Sequence, residues 1–273
     1  MFRSAVLVIV VAGRVAAAEP DDLIARPLVL DEGQLHADVT AEISLSTYYA
    51  TGQPTSLAPD LWYGVLPELT VGVIHSDLSL DRIQAGASFC VVTNSIVCPD
   101  RYHGSAIDVL YSMETGTFAA AAHARLLLFD KPAPEDPGPY PGAMSPPEPT
   151  RFIPALTIGE TLRWHRGRWS ITGDPYLQLG LANRQYGNRA QLWLPVTFAM
   201  QPVARLALEF RTGWNSTLAT IGDGYNVPAA IGVRARALWN VDVGALFGFP
   251  SLLGPQNDVK DRALFFDLSW RSH

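Results

Sequence analysis

The chain has 273 residues and a formal net charge of −6, and only 17% of its residues are charged, against about 25% in ordinary soluble domains. A net negative charge argues against nucleic acid as a partner. The only lysines, Lys131 and Lys260, fall in predicted loops, whereas a soluble β-sandwich would cover its outer faces with lysine and glutamate. Composition therefore disfavours both nucleic-acid binding and a soluble β domain.

The N-terminus has the pattern of a secretory signal peptide over residues 1–18. Arg3 precedes an apolar stretch, and Ala16, Ala17 and Ala18 are the small residues that favour cleavage. An uncleaved anchor is the alternative, but Arg14 leaves the apolar stretch too short to span a bilayer. Residues 19–34 are expected to form a short periplasmic lead-in and residues 35–273 one β domain. No later segment reaches about 18 uninterrupted apolar residues, so no transmembrane helix is predicted.

Alternation of apolar and polar residues is the strongest signal in the rest of the chain. From Leu35 to Tyr49 the apolar residues share one parity and the polar residues the other, as in a strand with one oily and one wet face. The same pattern predicts twelve strands, at 35–49, 57–66, 69–77, 104–113, 117–129, 151–165, 169–182, 190–201, 204–214, 227–238, 241–249 and 262–272.

The connections between these strands are alternately short and long. Short turns are predicted near Pro67-Glu68, Glu114-Thr115-Gly116, Arg166-Gly167-Arg168, Pro202-Val203 and Trp239-Asn240. This alternation is typical of bacterial outer-membrane barrels, in which the short turns are periplasmic. A sheet in hydrocarbon must close, because an open edge would leave amides unsatisfied. The predicted fold is therefore an all-β, closed antiparallel transmembrane β-barrel of about twelve strands in the bacterial outer membrane.

Aromatic residues and prolines agree with this orientation. The predicted girdles, at the level of the lipid headgroups, contain Trp164, Trp169, Trp239 and Trp270 at one end of the barrel and Trp214 and Tyr48 at the other. Core filling is the alternative role for any single tryptophan. The 130–150 loop holds eight prolines and is expected to be extended or disordered.

The two cysteines, Cys90 and Cys98, are close in sequence. An exported chain reaches an oxidising compartment, so a structural disulfide is predicted. A redox or metal pair is the alternative, although the C-x-x-C spacing is missing.

The segment from Leu61 to Val73 resembles outer-membrane barrels of the phenol meta-degradation type. Those proteins carry an aromatic-Tyr-Gly-Leu strand, a tight turn and a Leu-x-Val-Gly strand, and the matching positions here are Tyr63, Gly64, Leu66, Leu69, Val71 and Gly72. The resemblance implies a small-molecule transporter or channel. Alternating Leu264, Phe266, Leu268 and Trp270 also resemble the C-terminal signal read by the barrel-assembly machinery. That machinery, membrane lipid with lipopolysaccharide, and an unidentified small solute are the expected partners.

The polar parity of the predicted strands collects similar numbers of carboxylates and arginines. An arginine facing the bilayer midplane costs about 2–4 kcal/mol, so these groups are expected to face the lumen. The predicted lumen-lining residues are Arg125, Arg163, Arg205, Glu209, Arg211, Arg234, Arg236 and Asp242. They could set the electric field of a narrow pore, or pair with one another and fill the lumen.

Some positions fit this scheme poorly. Glu160 shares the apolar parity of its strand and is predicted to face lipid. Pro154, Pro175 and Pro195 interrupt predicted strands, and proline in a closed sheet implies a bulge or a strand end.

Enzymatic motifs give little support for catalysis. There is no G-x-S-x-G elbow and no H-E-x-x-H helix. His75-Ser76-Asp77 departs from the His-x-Ser-Asn pattern of outer-membrane lipid hydrolases. Gly222-Asp223-Gly224 could touch a calcium ion but is more typical of a turn. We therefore predict a non-enzymatic channel or transporter without metal or cofactor. The alternatives are a barrel that presents loops 78–103 and 130–150 to partners and, third, a lipid-modifying enzyme.

Overall fold

The structure is a computed structural model that describes residues 22–45, 55–75, 89–90, 104–115, 117–131, 151–184, 188–255, 257, 259–260 and 262–272. The predicted signal peptide, Tyr48, Cys98 and most of the 130–150 loop lie outside these residues, as does the side chain of Cys90. The signal peptide, the disulfide and the extended loop therefore stay predictions.

The described chain is almost entirely β-structure. Its strands are β1 Leu35–Ser44, β2 Thr55–Leu66, β3 Leu69–Ile74, β4 Phe89–Cys90, β5 Gly104–Thr115, β6 Phe118–Lys131, β7 Arg151–Phe152, β8 Ala155–Arg166, β9 Trp169–Gly173, β10 Tyr176–Gly180, β11 Gln191–Val203, β12 Leu206–Thr217, β13 Val227–Leu238, β14 Val241–Leu253 and β15 Ala263–Arg271. One turn of 3-10 helix, Leu218–Thr220, follows β12. No helix among the described residues is long and apolar enough to cross a membrane.

The strands form a closed antiparallel ring. Its order is β8, β9/β10, β11, β12, β13, β14, β15, β1, β2, β3, β5 and β6, and β6 pairs again with β8. The first and last strands, β1 and β15, pair with each other and close the ring, with His36 opposite Arg271. If β9 and β10 are counted as one broken strand, the wall in the described part of the chain has twelve strands. The predicted closed twelve-stranded barrel is confirmed.

The short turns all lie at one end of the ring, which we call the short-turn end. Three of the five turns lie where the sequence places them. Glu114 and Thr115 pair with Ala119 and Phe118 and are therefore strand rather than turn. The turn between β11 and β12 also differs. The ladder between β11 and β12 continues past Pro202 to the pair Val203–Leu206, so the turn is Ala204-Arg205. A register irregularity between Met200 and Val203 accommodates Pro202. Proline has no amide hydrogen to donate, and at an irregular position the ladder does not require one.

The two faces of the wall differ sharply in composition. On β2, Leu61 is 49% exposed and Tyr63 is 46% exposed, whereas Asp60, the residue before Leu61, is 4% exposed. A strand points successive side chains to opposite sides, so the apolar parity faces outward and the polar parity inward. The barrel therefore has an apolar outside and a polar inside, the arrangement of membrane-spanning barrels.

Prolines weaken one place in the wall. Pro154 precedes β8, and Pro175 separates β9 from β10. Pro195 lies inside β11, where its carbonyl accepts a hydrogen bond from the amide of Asp174 at 3.0 Å. Since neither Pro175 nor Pro195 has an amide hydrogen, the ladder loses donors on both sides of this break.

Candidate functional site

One buried ion pair of the inner face joins β5 to β6. Asp108 and Arg125 are directly opposite in the register, and Arg125 Nε lies 2.8 Å from Asp108 Oδ1. The second oxygen, Asp108 Oδ2, accepts a bond from the indole of Trp62 at 3.1 Å. Arg125 Nη1 is buried and has no hydrogen-bond partner among the described residues, so this guanidinium is held by the carboxylate of Asp108 on one side only.

A second ionic group lies on β12 and β13. Glu209 Oε2 pairs with Arg211 Nη2 at 2.7 Å, and Glu209 Oε1 pairs with Arg234 Nε at 3.0 Å. Glu209 and Arg211 are two residues apart on one strand and therefore share a face. This triad carries one net positive charge on the lumen wall.

A third group connects the wall to the N-terminal segment. Arg236 and Asp242 are paired in the register of β13 and β14, with Arg236 Nε 3.3 Å from Asp242 Oδ1. The other oxygen of Asp242 pairs with Arg26. Arg163 of β8 donates to the backbone carbonyl of Arg26. Arg26 therefore contacts β14 with its side chain and β8 with its backbone.

Residues 22–34, which we call the lead-in, run across the barrel at its short-turn end. The amide of Leu23 donates to Gln201 Oε1 of β11 at 2.8 Å, and the amide of Leu30 donates to Thr70 Oγ1 of β3 at 2.8 Å. At the end of the lead-in, Gly33 and Gln34 form backbone hydrogen bonds with Gly64 of β2. Strands β11 and β2 are six positions apart in the ring of twelve, so the lead-in crosses the full diameter.

Apolar residues of the lead-in anchor it. Leu23 and Ile24 are buried against Ala199 and Ala207 of the wall. Farther along, Val29 and Leu30 are also buried. Burying apolar side chains in this way favours a docked segment over a free one.

Two glycines of the Leu61–Val73 segment allow close contacts inside the barrel. A Cβ on Gly64 would overlap the carbonyl of Asp31 in the lead-in, and a Cβ on Gly72 would overlap the indole of Trp62. Trp62 in turn stacks on His36, with ring centroids 5.2 Å apart. The glycines therefore make room for the lead-in and for the tryptophan that bonds Asp108.

A histidine and a carboxylate meet where prolines break the wall. His123 Nε2 lies 3.0 Å from Asp174 Oδ1, and Thr161 Oγ1 donates to the same oxygen at 2.6 Å. His123 Nδ1 has no hydrogen-bond partner among the described residues. An imidazole oriented by a carboxylate could act as a base, but the neighbouring hydroxyl of Thr161 donates to the carboxylate and not to the imidazole.

The inner face also has apolar clusters toward the end opposite the short turns. One consists of Ile74, Ala106, Leu127 and Ala155, packed with Trp62. The other consists of Ala230, Leu246, Ala263 and Phe265. The lumen is thus layered, with apolar patches, then ion pairs, then the lead-in.

Comparisons with solved structures agree with this architecture. The NanC porin superimposes with a TM-score of 0.57 at 5% identity, covering 86% of this chain and 98% of that one. A KdgM porin in complex with disordered oligogalacturonate gives a TM-score of 0.54 at 7% identity, covering 87% and 99%. A COG4313 outer-membrane channel from Pseudomonas putida F1 gives 0.53 at 12% identity, covering 94% and 100%.

The fold is that of outer-membrane channel barrels. Identities this low establish the fold alone. No family model matches the chain, and no curated protein matches it. The resemblance to the phenol meta-degradation type therefore stays a prediction, although the barrels it is similar to are also outer-membrane channels.

Seven of the eight predicted lumen residues lie on the inner parity of the wall. The exception is Arg205, which is exposed in the turn between β11 and β12; because β11 extends two residues beyond its predicted end, Arg205 falls outside the ladder. At the other strand ends, Trp164, Trp169, Trp239 and Trp270 are at least 36% exposed near the short-turn end. Trp214 stacks on Tyr225 at the opposite end, with centroids 6.5 Å apart.

His75 has a structural environment. Its amide donates to Asp60 Oδ1 at 2.6 Å, and its ring contacts the carbonyl of Pro59. Ser76 lies outside the described residues. The His75-Ser76-Asp77 sequence therefore gains no catalytic geometry from the structure.

Sequence reasoning did not anticipate the contacts of Arg26 and the rest of the lead-in. A signal was present, because Leu23-Ile24-Ala25 and Leu28-Val29-Leu30 form two apolar groups on either side of Arg26. The wall residues that these apolar groups contact, however, could not be predicted without knowing how the ring closes.

Proposed function

We propose that the protein is a passive outer-membrane channel or transporter for small molecules, with no catalytic step. The observation that carries this proposal is the layer of buried ionised groups inside a closed barrel. Such rings of charge select solutes by electrostatics. Arg211 and Arg234, which pair with Glu209 on this layer, are the cations that we expect to set the field a passing solute meets.

The lead-in is the proposed gate of this channel. It crosses the diameter through Arg26, whose contacts are polar and few. Local opening around Arg26 breaks only these polar contacts and leaves the buried residues on either side of it docked, so it costs far less than unfolding the wall. We therefore place the rate-limiting constriction at the short-turn end, taken as periplasmic.

The lumen layers suggest the kind of solute. The apolar clusters favour contact with a small molecule that has an apolar part. The charges beside them have both signs, because Asp38, Asp242 and Asp267 also lie within electrostatic range of Arg234, so they favour polar groups on the solute. Small molecules that combine an apolar part with polar groups suit the succession of surfaces along the axis.

A closed structural barrel that presents its loops to partners is the second candidate. It is favoured by the mutual pairing of the wall charges and by the lead-in across the lumen, both of which fill the space that a solute would need.

Electrical measurements in planar bilayers separate the two candidates. The intact barrel is expected to give a small conductance, and an Arg26→Ala variant a larger one, because the central contact of the lead-in is lost. Arg211→Gln should shift the reversal potential in a salt gradient toward cations, since it removes a positive charge from the wall. Correctly folded protein that carries no current, with or without residues 22–34, would support the structural barrel.

A further inference from the structure

In the part of the chain that the structure describes, one charged side chain lies on the outer face of the barrel away from the strand ends. Glu160 lies in the middle of β8, on the exposed parity with Ile158 and Trp164. It is exposed, and its carboxylate has no hydrogen bond or ion pair among the described residues. Within the described parts of the strands, no other outward-facing position between the strand ends is charged.

The height of Glu160 places it in the hydrocarbon. Trp164, four residues along β8, belongs to the predicted girdle. Four residues span about 13 Å along a strand, which is about 10 Å of height at the usual tilt of about 40°. The apolar band of such barrels is about 25 Å tall. Glu160 is therefore close to the bilayer midplane, where an ionisable group without a partner is costly and indicates a functional contact.

The surface beside Glu160 is shaped for close approach. On the neighbouring strand β6, the outward residues Ala120, Ala122 and Ala124 form a groove of small side chains. Tyr111 of β5, which is 52% exposed, and Ile158 of β8, which is 51% exposed, form its ridges. Small residues allow backbones to approach closely in membranes, and a polar residue among them acts as the attractive element.

We propose that the β6–β8 face is a contact surface for a second copy of this chain in the membrane. Two copies with the same orientation are related by a two-fold axis along the membrane normal, so each residue meets the partner at its own height. The β8 ridge of one copy then enters the β6 groove of the other. Glu160 and Ala122 are directly opposite in the register, and an axis between them brings the two Glu160 side chains together.

This arrangement satisfies the carboxyl group without any basic residue. Two neighbouring carboxyl groups that share a proton hydrogen-bond to each other, because both cannot stay ionised at close range. The described outward faces offer no arginine or lysine at this height, which leaves the same residue of a second copy as the complementary group. The proposal does not depend on whether the lumen conducts.

The association state of the full chain in lipid bilayers tests this surface, read as single-molecule photobleaching steps over a range of protein-to-lipid ratios. We expect a dimer that Glu160→Gln retains, since amides also pair with each other. Glu160→Leu, which suits lipid better, should weaken association about tenfold, the size of one polar contact in a membrane. Ala122→Phe should abolish the dimer by filling the groove.

Ala245→Phe is the matched control. Ala245 is four residues into β14, as Ala122 is four residues into β6, and these strands are diametrically opposite. Heat-modified gel mobility checks that each variant folds. A wild-type chain that stays monomeric at every lipid ratio would overturn the proposal, as would equal loss of the dimer in the Ala122 and Ala245 variants.

A cross-linking experiment checks the geometry separately. In a chain carrying Cys90→Ser and Cys98→Ser, the Glu160→Cys variant should give a disulfide-linked dimer in outer membranes. The control is Phe266→Cys, because Phe266 is 45% exposed on β15, the strand opposite β8. Equal cross-linking at the two positions would mean random collision and would reject the surface.

Discussion

The ion pairs within the wall and the contacts of the lead-in are built in different ways. Asp108–Arg125 and Arg236–Asp242 are direct cross-strand pairs, so each follows from the register of one hairpin. Arg26 instead contacts β14 and β8, strands that meet only through the closed ring. The wall is thus locally determined and supported by a continuous ladder, whereas the lead-in depends on closure and is the part that can open at small cost.

The largest effect should come from breaking a wall pair. Asp108→Ala leaves the guanidinium of Arg125 buried without its carboxylate, and losing one partner of a buried pair costs about 3–5 kcal/mol. Urea unfolding of the barrel in lipid vesicles, followed by tryptophan fluorescence, measures this loss. The double variant with Arg125→Ala should recover part of it. A change below about 1 kcal/mol for the single variant would mean that the pair is well solvated by lumen water.

A steric change in the wall should have an intermediate effect. Gly72→Ala places a Cβ against the indole of Trp62, which must move and release its bond to Asp108. Overpacking of this kind costs about 1–3 kcal/mol, and the same unfolding experiment reports it. Gly244→Ala is the matched control, because its nearest atom is a carboxylate oxygen of Asp267 at 3.3 Å. Equal losses in the two variants would contradict the role given to the Trp62 contact.

The effect on transport is expected to be most distinct where the lead-in meets β2. Gly64→Ala would overlap the backbone carbonyl of Asp31, so the lead-in must leave the wall there while the β2 ladder stays. The two backbone hydrogen bonds that Gly64 makes with Gly33 and Gln34 break, so we expect a loss of about 1 kcal/mol for each and a higher conductance in planar bilayers. Unchanged conductance in a folded variant would show that the lead-in does not limit passage.

The barrel wall could be read from the sequence because its information is local. Alternation along β1 identifies the face of each residue without knowledge of any neighbour. The polar parity then places Glu209, Arg211 and Arg234 on one surface before any contact is known. Arg205 was misplaced because an irregular pair around Pro202 lengthened β11 by two residues, and alternation does not locate such irregularities.

What the sequence determined by itself is the alternation that fixes strands, faces and membrane environment, including the outward position of Glu160. Only the tertiary structure decided which strands are diametrically opposite, and therefore that the lead-in spans from Gln201 to Gly64 and that Arg26 joins β14 to β8. The physical reason is that side-chain direction depends on backbone periodicity within a single strand, whereas contacts across the lumen depend on closure of the ring, to which all twelve strands contribute.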